Sequence, residues 1–302
     1  MLALVGEVLV DLVLEEEAPL RFTGVLGGSV LNTASALRRL GFAVRFLSEV
    51  GQDWLSAWSE AEMVRRGLEA RLKRHPAPMP LALVRLDGEG NPLYSFHRPF
   101  HDPFRAEEGA LKGARAFHFG SLFALEARTR GGVEALLGEA LREGVLTSYD
   151  PNLRHPPTEA ERACIQGYLA RVDLLKLSLE DARLLFPEGP LEGVRRLPTP
   201  LKVLTLGPEG AVAFSGEGEV WAPGEKVAVA DTVGAGDAFT AGLLALLLRR
   251  GYGRENLRAL PREDLEAALK GAVALSALAC TVRGAGLPEE GLRAWKARFL
   301  GD

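Results

Sequence analysis

One nine-residue segment, 231–239, holds the residue types that phosphate chemistry requires, and it reads DTVGAGDAF. Gly234 and Gly236 let the backbone turn tightly and leave amide N–H groups uncovered by side chains. The apolar residues that follow predict a helix, whose positive N-terminal end favours a bound anion. Asp237 falls in or beside the first turn of that helix. A carboxylate there is unfavourable for simple phosphate binding but suits proton acceptance from an attacking hydroxyl, so the segment predicts phosphoryl transfer.

Other common nucleotide and metal motifs are absent from the sequence. It contains no GxxxxGK[ST] and no GxGxxG, which argues against P-loop proteins and against dinucleotide-dependent dehydrogenases. It contains no HExxH, and its five histidines show no metal-ligand spacing. The alternative interpretation, a Gly-rich loop capped by an aspartate without chemistry, suits a bare GxGD better than the full segment.

The elements that must position this segment alternate between short apolar strands and longer helical patterns. That order predicts an α/β fold with a largely parallel sheet. The predicted strands are Leu2–Val10, Val44–Val50, Ala114–Phe119, Val145–Tyr149, Leu174–Leu177 and Val203–Leu206. One helix follows Gly28, and the others cover about Trp54–Arg66, Leu125–Glu143, Thr158–Ala170, Ala235–Arg250 and Arg262–Arg283.

Two regions break this alternation, near residues 12–26 and 69–98. Both have the pattern of extended strands with turns, and the clearest turn is Asp87–Gly90. They predict a small β-sheet that projects from the α/β body and covers a site as a lid. We expect the whole chain, 1–302, to form one domain that carries these inserted strands.

Composition narrows the class of protein further. The chain has 302 residues, 47% of them hydrophobic and 25% charged, which is typical of a globular domain and excludes disorder. A net charge of −4 argues against nucleic acid as a general partner. Two cysteines cannot form a disulfide framework, so a reducing cytoplasm is the expected setting. The apolar N-terminus contains Glu7 and Asp11 and predicts a first strand rather than a signal peptide, and we expect no membrane association.

The 231–239 segment with its apolar helix resembles the C-terminal signature of the PfkB, or ribokinase-like, family of carbohydrate kinases. The segment GGSVLNTA at 27–34, followed by Leu40 and Gly41, resembles the N-terminal signature of that family. The resemblance implies a doubly wound α/β domain with a small β-sheet lid, and transfer of the ATP γ-phosphate to a sugar hydroxyl with Mg²⁺. It also implies that Asp237 is the catalytic base and that the amides of Gly234, Ala235 and Gly236 form the anion hole.

At the sugar end, the resemblance implies that Asp11 hydrogen-bonds sugar hydroxyls. Gly27 and Gly28 permit close approach of the backbone to a ligand, and Asn32 offers both a donor and an acceptor to a hydroxyl pair. Arg98 resembles an arginine that fructokinases and ketodeoxygluconate kinases place near the substrate. Solvated or capping roles are the alternatives for these side chains.

At the nucleotide end, the segment DPNLR at 150–154 resembles one in fructokinases and ketodeoxygluconate kinases, and Arg154 is a candidate phosphate ligand. Ser178 and Asp181 stand where many family members have Asn-x-x-Glu, which organises the Mg²⁺ and phosphates. Asp181, although shorter than the glutamate usual at this position, is the first candidate near Mg²⁺, and Glu180 is the second. The other implied nucleotide-end positions are Asn152, Lys176, Thr205, Gly207 and Gly210.

Some relatives bind a monovalent cation beside the anion hole. By the same resemblance, Asp231, the Val233 carbonyl and the turn at 283–286 are candidates to hold K⁺ here. Exposed sheet edges are usually covered by another element or chain, so the lid is the candidate surface for a homodimer.

The identity of the sugar stays open at this point. Fructose is the first choice, because Asp11 and Asn32 suit its hydroxyl groups. A 2-keto-3-deoxygluconate kinase is the main alternative, with Arg98 beside the substrate carboxylate, and a ribokinase is another. A hypothesis from a different class is a non-catalytic sugar- or nucleotide-binding protein on the same fold, which the altered residues at 178 and 181 would favour.

Overall fold

The computed structural model describes residues 1–86 and 92–301, and the turn predicted at 87–90 lies outside this range. Thirteen strands form a nine-stranded sheet and a separate four-stranded sheet. The strands are β1 (Leu2–Val5), β2 (Leu9–Glu17), β3 (Leu20–Gly27), β4 (Val44–Val50), β5 (Glu69–Arg74), β6 (Leu81–Leu86), β7 (Pro92–His97), β8 (Ala116–Gly120), β9 (Leu146–Asp150), β10 (Leu174–Ser178), β11 (Leu201–Thr205), β12 (Gly210–Ser215) and β13 (Gly218–Pro223). The helices are α1 (Ser29–Arg39), α2 (Trp54–Arg65), α3 (Ser121–Leu125), α4 (Ala127–Arg142), α5 (Glu159–Leu169), α6 (Leu179–Leu185), α7 (Pro190–Arg195), α8 (Ala235–Arg249), α9 (Arg262–Ala279) and α10 (Glu289–Phe299).

The large sheet has the order β13-β12-β11-β10-β9-β8-β1-β4-β5. The strands from β5 to β11 in this order pair in parallel, whereas β12 and β13 add an antiparallel hairpin at one edge. The chain moves from β1 outward to β4 and β5, and then returns to the other side of β1 with β8. Parallel sheets of this kind bind ligands at the carboxyl ends of their strands, near such a reversal.

Two apolar cores lie on the two faces of the large sheet. Side chains alternate along β1, so that Leu2 and Leu4 pack with α1, α8 and α9, whereas Ala3 and Val5 pack with α4 and α5. Helix α8 is buried on all sides from Asp237 to Leu248, as expected for a central helix. Within the described ranges, no helix is both long and apolar enough to cross a membrane.

The α/β fold is as predicted, but two predicted strands differ. The strand expected at Leu2–Val10 divides into β1 and β2, because the chain leaves the large sheet after Val5 and enters the small one at Leu9. The segment near 69–98 was expected to form part of the lid. Its first strand, β5, instead pairs in parallel with β4 at the edge of the large sheet, since α2 provides the crossover that a parallel pair needs.

The small sheet, here called the lid, has the order β3-β2-β6-β7. Strands β2 and β6 pair in parallel, and the two outer pairs are antiparallel. The chain enters the lid from the carboxyl end of β1 and leaves it through β3 directly into α1. The lid is therefore connected to the edge of the large sheet where ligands are expected.

A buried ionic group fixes the chain where it returns from the lid to the body. The His75 ring stacks on Phe100 with 4.2 Å between ring centroids, and the Arg128 guanidinium lies 5.7 Å from the centroid of the same Phe100 ring. Both side chains contact one carboxylate, Glu49, whose Oε2 lies 2.8 Å from His75 Nε2 and accepts from Arg128 Nη1 at 3.1 Å. Glu49 and His75 are each 2% exposed, so this carboxylate orders both groups around the ring.

Replacing Glu49 with alanine tests this arrangement. We expect Glu49→Ala to lower the free energy of unfolding by about 3–5 kcal/mol, because it leaves Arg128 and His75 without their buried partner. Urea denaturation measures the change. The matched control is Glu60→Ala, which removes a carboxylate from the Arg74 pair, where Arg74 is 54% exposed, and should cost about 0–1 kcal/mol. Equal losses in the two variants would contradict the assignment.

Candidate active site

The predicted anion site lies at the N-terminus of α8. Gly234 precedes the helix with a φ of 79°, and a Cβ there would lie 2.6 Å from the Cβ of Ala285. The position therefore requires glycine both for its left-handed backbone and for space. Within the described residues, the N–H groups of Gly234 and Gly236 have no protein acceptor, whereas that of Ala235 donates to the Thr232 carbonyl at 3.2 Å. Two of the three predicted amides are thus free to bind an anion.

Asp237 follows these amides in the first turn of α8, with only 9% of its surface exposed. The Ser29 hydroxyl donates to Asp237 Oδ1 at 2.6 Å, and Asn32 Nδ2 donates to Oδ2 at 2.9 Å. Burial raises the pKa of Asp237 to about 6, against the opposing effect of these two hydrogen bonds. The carboxylate is therefore ionised at neutral pH, but with a pKa close enough to neutrality to accept a proton.

A buried lysine lies beneath the same turn. A Cβ on Gly236 would lie 3.0 Å from Lys176 Nζ, so the ammonium packs against the backbone of the anion site. Lys176 Nζ donates to Asp150 Oδ2 at 3.0 Å, and both residues are buried. Burial opposes the charged form of Lys176, but Asp150 and Asp181 outweigh it and raise the pKa of Lys176. The ammonium stays protonated and places positive charge under the anion site.

Two carboxylates near Lys176 provide the candidate donors for Mg²⁺. Within residues 1–86 and 92–301, the buried Asp150 Oδ1 has no hydrogen-bond partner. Asp181 Oδ1 accepts from the Leu153 N–H, and its Oδ2 accepts from the Ser178 N–H and hydroxyl, which form a capping box for α6. The described residues contain no cluster of three or more metal-ligating side chains. Mg²⁺ commonly uses only one or two carboxylates, completed by waters and phosphates, and Asp150 with Asp181 fits that pattern.

The predicted sugar-end residues converge where β2 and β3 enter the lid. A Cβ on Gly27 would lie 2.0 Å from Asp11 Oδ2, so the absence of a side chain at Gly27 makes room for the Asp11 carboxylate. A Cβ on Gly28, which has a φ of 130°, would lie 2.2 Å from the Glu7 carbonyl oxygen. Burial, together with Glu7, raises the pKa of Asp11 to about 6, against the opposing charge of Arg154.

Arg154, predicted to contact nucleotide phosphates, faces the sugar end of the cleft. Its guanidinium lies 5.7 Å from the centroid of the Tyr94 ring on the lid strand β7, and it acts electrostatically on Asp11. Burial raises the pKa of the Tyr94 phenol against the opposing charge of Arg154, and the charge of Asp11 adds to the increase. The lid therefore brings to the Arg154 guanidinium an aromatic side chain that the sequence analysis did not assign to the site.

Arg98, at the end of the lid, is paired with a carboxylate of the body. Its Nη1 lies 2.7 Å from Glu126 Oε1, and the two side chains are 34% and 28% exposed. Glu126 Oε2 lies 3.9 Å from Arg128 Nε, which connects the pair to the group around Glu49. Burial raises the pKa of Glu126, but the charges of Arg98 and Arg128 oppose that shift.

The remaining nucleotide-end residues lie on neighbouring strand ends and loops. Ser178 pairs with Thr205 in the register of β10 and β11, so both face the carboxyl edge of the sheet. Gly207 and Gly210 follow with φ values of 60° and 104°, and Asn152, after β9, has a left-handed φ of 44° that asparagine tolerates. These positions form one continuous edge beside Lys176.

The residues predicted to hold a monovalent cation connect two loops. Asp231 Oδ1 accepts from the Val233 N–H at 3.1 Å, and Oδ2 accepts from the Gly284 N–H at 2.8 Å. The carboxylate thus fixes the loop before α8 to the turn after α9. The predicted cation ligands lie in this junction, next to the anion site.

Comparison with known proteins identifies the family to which the chain belongs. A model described as pfkB family carbohydrate kinase matches residues 1–291, and the chain belongs to that family. It is 32% identical to a probable chloroplastic fructokinase-6 of Arabidopsis thaliana, over 93% of this chain and 77% of that protein. It is 30% identical to fructokinase-1 of Oryza sativa subsp. japonica, over 94% of each. The structure of a fructokinase with bound ATP from Xylella fastidiosa is similar, with a TM-score of 0.87, 25% identity and 98% coverage of both chains.

The family and the fold predicted from the sequence are therefore confirmed. The sequence analysis missed four polar or charged residues at the site: Ser29, Tyr94, Glu126 and Asp150. Three of them lie inside segments that the analysis had singled out, 27–34, 69–98 and 150–154, so their position in those segments was the available indication. Nothing in the sequence pattern distinguished Glu126.

The substitution Asp237→Asn tests whether burial of the charged carboxylate lowers the free energy of unfolding. Because the pKa of Asp237 lies above its ordinary value of 3.8, the neutral form is favoured in the fold. The stabilisation of the fold by the protonated Asp237 is therefore fully present below pH 3.8 and is lost as the pH rises through about 6. An asparagine stays neutral, so we expect the variant to be more stable at pH 8 by on the order of 1–3 kcal/mol. Denaturation at several pH values measures this; a variant no more stable at pH 8 would contradict it.

Proposed function

We propose that this protein is an ATP-dependent kinase that transfers the γ-phosphate of ATP to a hydroxyl of fructose. The observation that carries the proposal is the position of Asp237, a buried carboxylate with a raised pKa directly beside two free amides at the start of α8. Membership of the pfkB family supports the class of reaction. The two fructokinase relatives, together with hydroxyl-binding groups at the sugar end, support fructose as the acceptor.

The proposed step is a direct transfer that leaves the chain unchanged. Asp237 accepts the proton of the sugar hydroxyl while the hydroxyl oxygen forms a bond to the γ-phosphorus. The bond from that phosphorus to the bridging oxygen breaks, and ADP leaves. The N–H groups of Gly234 and Gly236 donate to the transferring phosphoryl oxygens, and the Lys176 ammonium stabilises their charge through the backbone it supports.

Negatively and positively charged side chains both contact the sugar acceptor at the sugar end. Asp11 accepts from sugar hydroxyls in charge-assisted hydrogen bonds. Asn32 donates its Nδ2 to Asp237, which leaves its Oδ1 free to accept from a hydroxyl next to the reacting one. Gly27 and Gly28 allow this close approach, while Arg98 and Arg154 line the lid side of the cleft.

The nucleotide lies on the opposite side of Asp237 in this proposal. Its phosphates follow the edge formed by Asn152, Ser178 and Thr205, with the open backbone of Gly207 and Gly210 beside them. Mg²⁺, when bound, neutralises the triphosphate charge, and Asp150 with Asp181 would hold it through waters. A K⁺ ion near Asp231 and the Val233 carbonyl would add positive charge beside the anion site.

Turnover with Mg·ATP tests the function directly. We measure ADP release with fructose, 2-keto-3-deoxygluconate, ribose and adenosine, and expect the highest kcat/KM with fructose. Asp237→Asn should lose more than about 10²-fold in kcat while it retains nucleotide affinity, because only proton transfer is removed. In the wild type, kcat should fall as the pH drops through about 6, where Asp237 becomes protonated.

Asp264→Asn, in the first turn of α9, is the control and should leave kcat unchanged. Absence of turnover with every acceptor would favour a non-catalytic sugar- or nucleotide-binding protein instead. Preference for 2-keto-3-deoxygluconate or ribose would overturn the choice of fructose but not the class of reaction. Full activity in Asp237→Asn would remove this residue from the mechanism.

We also propose that two copies associate through their lids. The edge strands β3 and β7 expose large apolar side chains, at 68% for Leu20, 40% for Phe22 and 47% for Leu93. Such side chains on sheet edges are usually covered by a partner. Light scattering should report a dimer, and Leu20→Glu should shift it to a monomer; a monomeric wild type would contradict the proposal.

The setting that we propose for this reaction is the cytoplasm. Both cysteines, Cys164 and Cys280, are unpaired, as expected in a reducing compartment. The reaction also depends on a supply of ATP. Detection of the mature protein outside the cytoplasm would overturn this setting.

A further inference from the structure

We propose that Glu126 is a specificity-determining residue, which cancels the charge of Arg98 and restricts the acceptor to a neutral sugar. This inference rests on the proposed sugar-kinase function and adds a chemical reason for discrimination against acceptors that carry a carboxylate or a phosphate. The observation behind it is the ion pair between Arg98, at the end of the lid, and Glu126, between α3 and α4.

The pair lies in a cleft that adjoins the sugar end. The same cleft is lined by Glu7, Leu9 and Arg128. Leu9 begins β2, the strand that carries Asp11, and Glu7 acts electrostatically on the Asp11 carboxylate. A group attached to the end of a bound sugar that is directed away from Asp11 would therefore lie in this cleft.

Each guanidinium around the cleft already faces a carboxylate. Arg98 pairs with Glu126 at 2.7 Å, Arg128 pairs with Glu49 at 3.1 Å, and Arg154 acts on Asp11. Glu7 adds a further carboxylate, whose Oε2 accepts the backbone N–H of Phe123. The cleft itself is lined by three carboxylates, Glu7, Glu49 and Glu126, and by two guanidiniums, Arg98 and Arg128.

An anionic acceptor would be disfavoured by this arrangement. A carboxylate or phosphate bound to Arg98 would either displace Glu126 or share the guanidinium with it, so that one positive charge would face two negative charges in a half-buried place. A neutral sugar makes no such demand, since its hydroxyls can donate to the carboxylates and accept from the guanidiniums. Arg98 taken alone predicts affinity for a sugar acid, whereas the Arg98–Glu126 pair predicts the opposite.

The alternative is that Glu126 only holds the lid in position. Glu126→Gln separates the two roles, because the amide oxygen still accepts from Arg98 while the compensating charge is gone. A positional role would change kcat/KM for all acceptors together. A charge role changes the ratio between anionic and neutral acceptors.

The experiment compares kcat/KM for 2-keto-3-deoxygluconate and for fructose in the two proteins. We expect Glu126→Gln to raise the ratio of the keto acid to fructose about tenfold, through a lower KM for the keto acid. Because the uncompensated charge of Arg98 is partly exposed, the gain should shrink when the ionic strength is raised. The double variant Arg98→Met/Glu126→Gln should return the ratio to the wild-type value or below it.

Glu134→Gln is the matched control, because it removes a carboxylate from the same helix region, where Glu134 pairs with Arg171 at 2.7 Å and does not line the cleft. Its ratio should equal that of the wild type. An unchanged ratio in Glu126→Gln, or a gain that survives in the double variant, would overturn the proposal while fructose turnover leaves the kinase function standing. A wild type that phosphorylates no sugar would overturn the kinase function itself.

Discussion

The site depends on one carboxylate buried between the amino ends of two helices. Asp237, in the first turn of α8, accepts hydrogen bonds from Ser29 and Asn32 in the first turn of α1. Helix α1 follows the end of the lid strand β3, and α8 begins at the amides of the anion site. The contact therefore sets the distance between the acceptor wall and the phosphate position. Burial of the charge lowers stability, and the two hydrogen bonds offset only part of that cost.

Much of the fold could be predicted from the sequence, because the long helices and most of the parallel strands carry their own local pattern, whereas α3, α6, α7, α10 and the β12–β13 hairpin were not predicted. The strand Val44–Val50 has the predicted bounds, and the helix after Gly28 ends at Arg39, with Leu40 as its C-cap before a left-handed Gly41. Assignment of strands to sheets was less predictable. Glu69–Arg74 reads as an extended segment in either sheet, and only its crossover through α2 decides for the large one.

The central part of the site could also be predicted, since glycine turns, helix ends and carboxylates are local features. The partners of side chains from distant segments could not. Arg154 is adjacent in sequence to the nucleotide-end residues, but its reach brings it to Tyr94 on the lid. The pairing of Arg98 with Glu126 joins residues from two elements, and no spacing rule encodes it. Such contacts follow from packing of the lid on the body.

The close approach of Gly234 to Ala285 gives the turn after α9 control over the shape of the anion site. The two positions share one small volume, so side-chain size at either is limited by the other. The same turn also donates the Gly284 N–H to Asp231, just before the anion site. A residue some fifty positions further along the sequence thus limits the space behind the amides that bind a phosphoryl group. Variation in catalytic rate among relatives can arise there without any change in the residues that touch substrate.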